Sequence, residues 1–440
     1  MNALWPWKRL GDFCLKIGSG ATPTGGKESY HEDGPVSLIR SQNVHNNGFS
    51  SSGLAFIDEV QAKKLNNVNV EVGDILLNIT GDSVARVCLV PPKYLPARVN
   101  QHVAIIRPMP DIFDSRYLRY FLTSPYQQNL MLGVAGAGAT RNALTKLMIE
   151  EFKVPCPSIK VQRSIGDILS VLDDRIYLLQ ETNTTLEAIA QALFKSWFID
   201  FDPIHAKAEG REPEGMDAET AALFPTSFEE SEFGLIPRGW YVGRISNLGE
   251  VICGKTPLTS NQENYGSEGP FITIPDMHNR LVVTSTQKKL SHQGAGTQKN
   301  KYLRPGSIGV SCIATAGLVV AVTEMSQTNQ QINSVVPDPS WTDSFSLFVL
   351  RQIGEKIRAA GSGGSVFDNL NKSRFEKTPI LLPEPKLAQK FDYMITPLVS
   401  RIIANQKQEE FLSMLRDTLL PRLISGQLRL SQVEYMESVL

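Results

Sequence analysis

The stretch WKRLGDFCLKIGSGATP, residues 7–23, recurs in this chain as WYVGRISNLGEVICGKTP, residues 240–257. Both copies end in a threonine–proline pair, and Thr22 and Thr256 are 234 residues apart. Further matches follow in the same order with drifting separations: 235 for Gly34 and Gly269, 233 for Gly73 and Gly306, and 229 for Asn100 and Asn329. A chain that repeats itself in order consists of two related halves.

The second part of each half has a fixed length. From Leu144 and Leu370 onward the separation stays at 226, as far as Leu193 and Leu419. Loops tolerate insertions and deletions, whereas a constant separation indicates an element whose length matters. Each half therefore has a variable head domain followed by an element of constant length.

The constant elements have the spacing of long helices. Apolar residues recur at heptad positions, Ile165, Leu172, Leu179, Leu186 and Leu193 in the first half and Phe391, Leu398, Leu412 and Leu419 in the second. This spacing predicts two helices that pair as a coiled coil, and the alternative is that each helix packs only on its own head domain. Asn183 and Asn405 interrupt the apolar stripes, where they either fix the register or are exposed. Pro397 predicts a cap or bend in the second helix.

The repeat and the helices together predict the architecture. Short strand-like runs punctuated by glycine and proline indicate mixed α/β head domains, so the fold class is α+β with two tandem domains separated by two long helices. Symmetric use of the repeat predicts antiparallel helices and a pseudo-two-fold axis. The predicted boundaries are 1–157 and 238–383 for the head domains, 158–200 for the central helix, 201–237 for an acidic linker, and 384–440 for the C-terminal helix and tail.

Charge and composition narrow the class of protein. Between residues 201 and 234, nine acidic residues against two basic ones give a net charge of −7, which leaves +6 for the rest of a chain whose total is −1. That remainder is compatible with nucleic-acid binding without indicating it. The first residues lack the apolar core of a secretion signal, so we expect a cytoplasmic protein with no membrane partner. The cysteines form no C-x-x-C pair and the histidines have no metal-binding spacing, so no metal site is predicted.

One motif favours nucleotide binding at first sight. Gly249, Gly254, Lys255 and Thr256 match the phosphate-binding pattern G-x-x-x-x-G-K-[ST]. The first copy of the repeat has Ala21 at the lysine position, and the residues before the motif are too polar for the buried strand that such a loop follows. A P-loop enzyme is therefore a minor alternative, and no other catalytic motif is present.

Three segments resemble the specificity subunits of type I restriction-modification systems. They are ALFKSWFIDFDPIHAKAEG at 192–210, EFGLIPRGW at 232–240 and LLPRLISGQL at 419–428. The resemblance covers essentially the whole chain in the family's order of recognition domain, helix, recognition domain and helix. Val161 departs from it, because the family commonly has an acidic residue before the following glutamine.

The resemblance implies a subunit without catalysis or bound cofactor. It implies two methyltransferase subunits, which carry S-adenosylmethionine and methylate adenine, and two restriction subunits that use ATP and Mg. Each head domain would recognise one half of a bipartite double-stranded DNA site, and the helices would set the spacing. About 40 helical residues correspond to about 60 Å, or about 18 base pairs. A two-headed adaptor that binds protein or RNA remains an alternative.

The candidate DNA contacts are polar residues at predicted strand ends and in the repeated loops. Arginine suits guanine, and asparagine or glutamine suits adenine. In the first head domain they are Arg40, Ser41, Gln42, Asn43, Asn78, Thr80, Arg86, Asn100, Gln101, Thr140 and Arg141; in the second they are Asp276, His278, Ser311, Thr315, Asn329, Gln330, Gln331 and Ser365. A hydrogen bond within a turn is the alternative role for any one of them.

Overall fold

A computed structural model describes residues 3–136, 142–232, 234–313, 315–361 and 370–429. These residues form two compact units, one of Met1–Tyr177 with Phe411–Leu440 and one of Leu178–Glu410. The two long helices, α5 (Ile159–Phe198) and α12 (Pro385–Ser425), each contribute residues to both units.

The first unit contains two four-stranded sheets. Its strands are β1 (Trp7–Arg9), β2 (Cys14–Ser19), β3 (Val36–Ile39), β4 (Val44–His45), β5 (Gly48–Phe49), β6 (Ala55–Ile57), β7 (Asn69–Val70), β8 (Ile75–Asn78), β9 (Val87–Leu89), β10 (Ala97–Val99), β11 (Val103–Pro108) and β12 (Lys153–Pro155). Its short helices are α1 (Glu59–Lys64), α2 (Ser115–Thr123), α3 (Pro125–Gly136) and α4 (Lys146–Glu150). The strand orders are β6-β3-β10-β7 and β2-β11-β8-β9, and β1 pairs with β12 and β4 with β5.

The second unit has the same arrangement with small differences at the edges. Its strands are β13 (Phe228–Ser231), β14 (Gly234–Pro237), β15 (Tyr241–Arg244), β16 (Gly249–Cys253), β17 (Tyr265–Ile272), β18 (Val282–Val283), β19 (Lys288–Leu290), β20 (Ile308–Ser311), β21 (Val319–Val322), β22 (Gln327–Thr328), β23 (Ile332–Pro337) and β24 (Pro379–Leu382). Its short helices are α6 (Asp202–Ala208), α7 (Ala218–Ala222), α8 (Ile274–Met277), α9 (His292–Gly296), α10 (Asp343–Gly361) and α11 (Lys372–Glu376). The strand orders are β19-β17-β22 and β16-β23-β20-β21-β18, and β13 pairs with β14 and β15 with β24.

The two units therefore share one topology. The order β6-β3-β10 corresponds to β19-β17-β22, and in both cases the last two strands are parallel. The order β2-β11-β8-β9 corresponds to β16-β23-β20-β21, with antiparallel pairing throughout. The tandem mixed α/β domains predicted from the repeat are confirmed.

The largest core cluster of each unit lies where the sheets and short helices meet the long helices. In the first unit, Tyr117 and Phe121 of α2 are fully buried in one cluster with Leu169 of α5 and Leu423 of α12. In the second, Phe194 of α5 has its ring centroid 5.6 Å from that of Phe391 in α12. Full burial of one such side chain contributes about 1.5–3 kcal/mol. The long helices thus complete the core of each unit.

As residue numbers rise along α5, the residues that it contacts in α12 fall in number. In the second unit, Gln180 bonds Glu409, Asn183 faces Asn405, and Phe194 contacts Phe391. In the first unit, Asp173 of α5 bonds Arg416 of α12. Within the second unit the two helices are therefore antiparallel.

The predicted seam residues are all at least partly buried, but most of them are less buried than the residues at the second apolar position of the heptad. Leu172, Leu186, Leu193, Leu398, Leu412 and Leu419 are half-buried, whereas Ile165, Leu179 and Phe391 are buried. The second apolar position of the heptad, at Leu169, Ala190 and Trp197, is 0–2% exposed. These residues belong to clusters that contain head-domain residues as well as residues of the other long helix, so neither helix packs only on its own head domain.

The two polar interruptions of the stripe meet each other. Nδ2 of Asn405, which is 1% exposed, donates to Oδ1 of Asn183 at 2.9 Å. A buried pair of this kind penalises any shift of the two helices, because a shifted amide would lose its partner. Pro397 lies inside α12, which continues to Ser425.

The segment 201–237, which the sequence predicts to be an acidic linker, is folded. It contains α6, α7 and the hairpin β13–β14, and Ile204, Phe224 and Ile236 are buried. Its acidic residues concealed this apolar set, which packs on the aromatic cluster at the end of α5: Phe224 and Trp197 are 5.1 Å apart between ring centroids. Within the described ranges, no helix is long and apolar enough to cross a membrane.

Candidate nucleic-acid interface

The repeated Gly-x-Thr-Pro turn lies against the start of the Asn-Gln segment in both units. In the first unit, the amide of Gly20 donates to the carbonyl of Val103 at 2.8 Å, and Ala21 donates to Val99 at 3.1 Å. In the second, Gly254 donates to Ile332 at 3.0 Å and Lys255 to Thr328 at 2.9 Å. The same backbone bonds thus join the same two segments in each unit.

Only glycine fits the first position of this turn. A Cβ on Gly20 would lie 2.1 Å from the carbonyl oxygen of Val99, and one on Gly254 would lie 2.0 Å from that of Asn329. Both obstacles are backbone atoms, which cannot move aside without disturbing the sheet. The glycine therefore allows the turn to approach the neighbouring strand end.

This approach brings a threonine hydroxyl to a glutamine amide in each unit. Oγ1 of Thr22 donates to Oε1 of Gln101, and Oγ1 of Thr256 donates to Oε1 of Gln330. The asparagine before each glutamine also closes a turn, because Oδ1 of Asn100 and of Asn329 accepts the amide two residues on at 3.1 Å. Both glutamines are exposed, so each unit presents one amide whose orientation is fixed by its threonine.

The same geometry explains the P-loop match. In a phosphate-binding loop the backbone amides point at the phosphates and a helix begins at the lysine and threonine. Here the amides of Gly254 and Lys255 are engaged in bonds to neighbouring backbone, and residues 254–261 form no helix. The segment is an extended edge that ends in a turn, and this arrangement does not form a phosphate cradle.

In the first unit a chain of side chains leads away from the shared pair. Nε2 of Gln101 donates to Nε2 of His102 at 3.0 Å, and Nδ1 of His102 lies 2.7 Å from Oγ1 of Thr80. Arg86, half-buried, reaches Nδ1 of His45 at 3.5 Å. Five polar side chains, some of them candidates, therefore surround the end of β8 and the start of β11.

The second unit has different chemistry at the same places. Gln331 follows Gln330 where His102 follows Gln101, and Nδ2 of Asn329 donates to its Oε1 at 2.9 Å. The loop after β20 is closed by Ser311, whose hydroxyl donates to the carbonyl of Thr315 at 2.6 Å. The loops are alike in position and unlike in side chains.

The separation of 235 found for Gly34 and Gly269 predicts which residues of the second half correspond to the candidate cluster at 40–43, and the structure gives a different correspondence. A separation of 235 pairs Asn43 with His278, but β3 and β17 occupy equivalent places at a separation of 233, which pairs Asn43 with Asp276. Both side chains accept a hydrogen bond from the backbone amide three residues earlier. Asn43 accepts from Arg40 at 3.0 Å, and Asp276 accepts from Thr273 at 2.8 Å. The side chain at this position closes a short helical turn.

The candidates divide into two groups by exposure. Six are buried and bonded within the protein, so their exposed surface is small: Asn43, Asn78, Asn100, Asp276, Ser311 and Asn329. Ten are exposed or half-buried: Arg40, Ser41, Gln42, Thr80, Arg86, Gln101, His278, Thr315, Gln330 and Gln331. Thr140, Arg141 and Ser365 lie outside the described residues. The buried group sets the shape of the loops that carry the second group.

Sequence reasoning missed four members of this surface. Thr22 and Thr256 were visible as part of the repeated turn, but nothing in the sequence indicated that they reach the glutamines. His45 and His102 have no motif spacing: His45 lies in the short β4–β5 hairpin, and His102 directly precedes β11, which pairs with β8. Nowhere in the described part of the chain do three or more His, Cys, Asp or Glu residues come close enough to hold a metal ion.

A charged cluster fastens the first head domain to the long helices. Asp173 accepts from Arg119 at 2.7 Å, from Tyr120 at 2.7 Å and from Arg416 at 2.8 Å. Burial acts to raise the pKa of Asp173, but the charge of Arg119 and the bonds from Arg416, Tyr120 and Arg119 outweigh it and hold the pKa below its ordinary value. Asp173 is therefore a half-buried member of this cluster and not a solvated carboxylate.

The second unit fastens its head domain with other residues. Arg351 of α10 bonds Glu187 of α5, and Glu410 of α12 accepts from Thr284 and Ser285, both at 2.7 Å. The second head domain thus has polar contacts to both long helices.

Comparison with known proteins assigns the family. A model described as "Type I restriction modification DNA specificity domain" matches residues 2–188 and 237–411. The chain belongs to the type I restriction-modification specificity subunits. The two matched ranges also correspond to the two halves of the repeat.

Relatives of this specificity subunit match it along most of its length. The specificity subunit of the type I restriction enzyme HindI from Haemophilus influenzae is 34% identical over 436 residues, which cover 89% of this chain and 94% of that protein. The MjaIX specificity subunit from Methanocaldococcus jannaschii is 26% identical and covers 98% of this chain and 94% of its own. The crystal structure of an S subunit from M. genitalium has a TM-score of 0.57 at 14% identity, with 96% of each chain covered, and supports the fold alone.

Proposed function

We propose that this specificity subunit binds a bipartite double-stranded DNA site, one half in each head domain. The observation that carries the proposal is the pair of units with one topology, in which a shared Thr–Gln contact is surrounded by different side chains. A common scaffold with different polar neighbours suits two recognition surfaces that distinguish different bases. The unrecognised gap between the half-sites follows from the length of the helices.

The long helices have a second role in this proposal. We propose that α5 and α12 form an antiparallel coiled coil that relates the two halves by a pseudo-two-fold axis and holds two methyltransferase subunits. Those subunits would carry S-adenosylmethionine, and two restriction subunits, where present, would use ATP and Mg. The chain itself would catalyse no step; its part is to select the site and position its partners in the cytoplasm.

The test is the adenine methylation of host DNA, sequenced with and without this gene while the methyltransferase partner is expressed. The expected result is the loss of one split motif, two short sequences around a gap of constant length. Methylation that is unchanged by the deletion would contradict the proposal and favour the adaptor alternative. Binding that does not weaken with salt would do the same, since contacts to DNA phosphates release counterions.

Lys255 provides a prediction that separates DNA binding from a nucleotide site. Its side chain is exposed beside Thr256, and Ala21 occupies the same place in the first unit. We expect Lys255→Ala to leave the methylated motif unchanged and to reduce the slope of log binding constant against log salt by about 0.9, as for one lost phosphate contact. Ala21→Lys, the reciprocal change, should increase that slope by about 0.9. A P-loop would instead require Lys255→Ala to abolish function.

A further inference from the structure

The glutamine held by threonine is the same in two domains that otherwise differ. Gln101 and Gln330 follow equivalent asparagines, accept a hydrogen bond from equivalent threonines and are exposed. If the two head domains bind different half-sites, as proposed above, a group common to both cannot be the source of the difference. It must contact something that both half-sites contain.

The hydrogen bonds that the glutamine amide already makes indicate which group of the DNA it contacts. A glutamine recognises adenine by using its carbonyl oxygen as acceptor and its NH2 as donor together. Here the oxygen already accepts from the threonine hydroxyl, which takes up one of its two lone pairs and disfavours the paired use of oxygen and NH2 that adenine requires, so we assign the outward contact to the NH2 donor. In Gln101 one N–H is given to His102 and the second remains. A donor without an available acceptor suits a phosphate oxygen, which only accepts.

The positions around the shared pair have the opposite character. In the second unit Gln331 occupies the position of His102. Leu318 occupies the position of Arg86, because the backbone carbonyl of each accepts the amide of the last residue in the preceding strand. Such substitutions change the donors and acceptors offered to a base. On each head domain, the pair that is the same in both units therefore lies beside positions whose side chains differ between the units.

We propose that Gln101 and Gln330 are equivalent sequence-neutral contacts, each donating its Nε2–H to a DNA phosphate in its own half-site, with Thr22 and Thr256 as positioning residues. The inference rests on the proposed bipartite DNA binding. In this proposal, the neighbouring residues that differ between the units, among them Arg86, discriminate between bases. The glutamines common to both units hold the DNA backbone in position.

The experiment uses the full chain assembled with its methyltransferase subunits and a duplex that carries the methylated motif. Affinity is measured for this duplex and for one with a single base pair changed in the half-site assigned to the second unit. The main variant is Gln330→Glu, which keeps an oxygen for Thr256 but replaces the NH2 by a negatively charged oxygen. Gln262→Glu, at an exposed glutamine elsewhere in the same unit, introduces the same charge as a matched control.

We expect Gln330→Glu to weaken binding to both duplexes by the same factor, about a hundred-fold, and Gln330→Ala by about ten-fold, as for a lost hydrogen bond to a charged group. The ratio of the affinities for the two duplexes should stay unchanged, and so should the methylated motif. The affinity of Gln262→Glu should stay within about three-fold of that of the native chain. Arg86→Ala should instead alter the ratio for a base in the first half-site.

Two results would overturn the inference. A ratio or motif that changes at one base with Gln330→Ala would make the glutamine a base contact. Unchanged affinity would show that the glutamine makes no DNA contact, and a lowered unfolding temperature beside it would make the pair purely structural. Either result would leave the bipartite DNA binding standing, provided that the unmodified complex produces a split motif. Absence of that motif would refute the proposed function itself.

Discussion

Gly20→Ala is expected to abolish methylation at sites that depend on the first head domain. The added Cβ would lie 2.1 Å from the carbonyl oxygen of Val99 and 2.2 Å from that of Asn100, so the turn would have to move away from the end of β10. Overpacking typically costs about 1–3 kcal/mol, and a contact this short with backbone atoms lies at the upper end of that range. The displaced turn would take Thr22 away from Gln101, so recognition would be lost together with stability. Methylated-motif sequencing and urea unfolding both measure the effect.

Gly18→Ala is the matched control, two residues earlier in the same segment. A Cβ on Gly18 meets no atom within 4 Å, and the equivalent position in the second unit is occupied by Ile252. We expect an effect on stability of less than about 0.5 kcal/mol. Equal behaviour of the two variants would contradict the role given to close approach at Gly20.

Asp173→Ala is expected to lower the melting temperature by about 6–12 °C. It would leave Arg119 and Arg416 without the carboxylate that joins them, and removal of one partner from a largely buried ion pair costs about 3 kcal/mol. For a unit of this size about 2–4 °C correspond to each kcal/mol. Thermal unfolding of Asp174→Ala provides the control, because Asp174 is exposed and adjacent. A shift of similar size in both variants would mean that the cluster does not stabilise the contact.

The same cluster predicts a pH dependence. The pKa of Asp173 is lower in the folded state than its ordinary value of about 3.9, so its contribution to stability is present above that value and is lost as the pH falls through the folded pKa. The difference in free energy of unfolding between the native chain and Asp173→Asn should therefore be large at pH 7 and shrink below about pH 4. A difference that grows on acidification would contradict this assignment.

Part of the site was predictable because it is written twice. Thr22 with Thr256 and Gln101 with Gln330 recur in sequence, and repetition marks the positions that the shared scaffold requires. What could not be predicted was that the threonines touch the glutamines, since 79 and 74 residues separate the partners. Bonds between such distant residues depend on the pairing of strands, which short-range patterns do not specify.

The sequence by itself determined the duplication, the two long helices and the family. These are properties of spacing: an ordered repeat and a heptad pattern are the same in the unfolded chain as in the folded one. The tertiary structure alone decided which polar residues are free. Asn43, Asn78 and Asp276 resemble base-contacting residues in the sequence, yet they are buried and bonded within their own loops. Asp173 resembles a surface carboxylate and joins a head domain to both helices. The physical reason is that a side chain's hydrogen-bond partner depends on what the fold places within 3 Å of it, and a linear pattern does not contain that information.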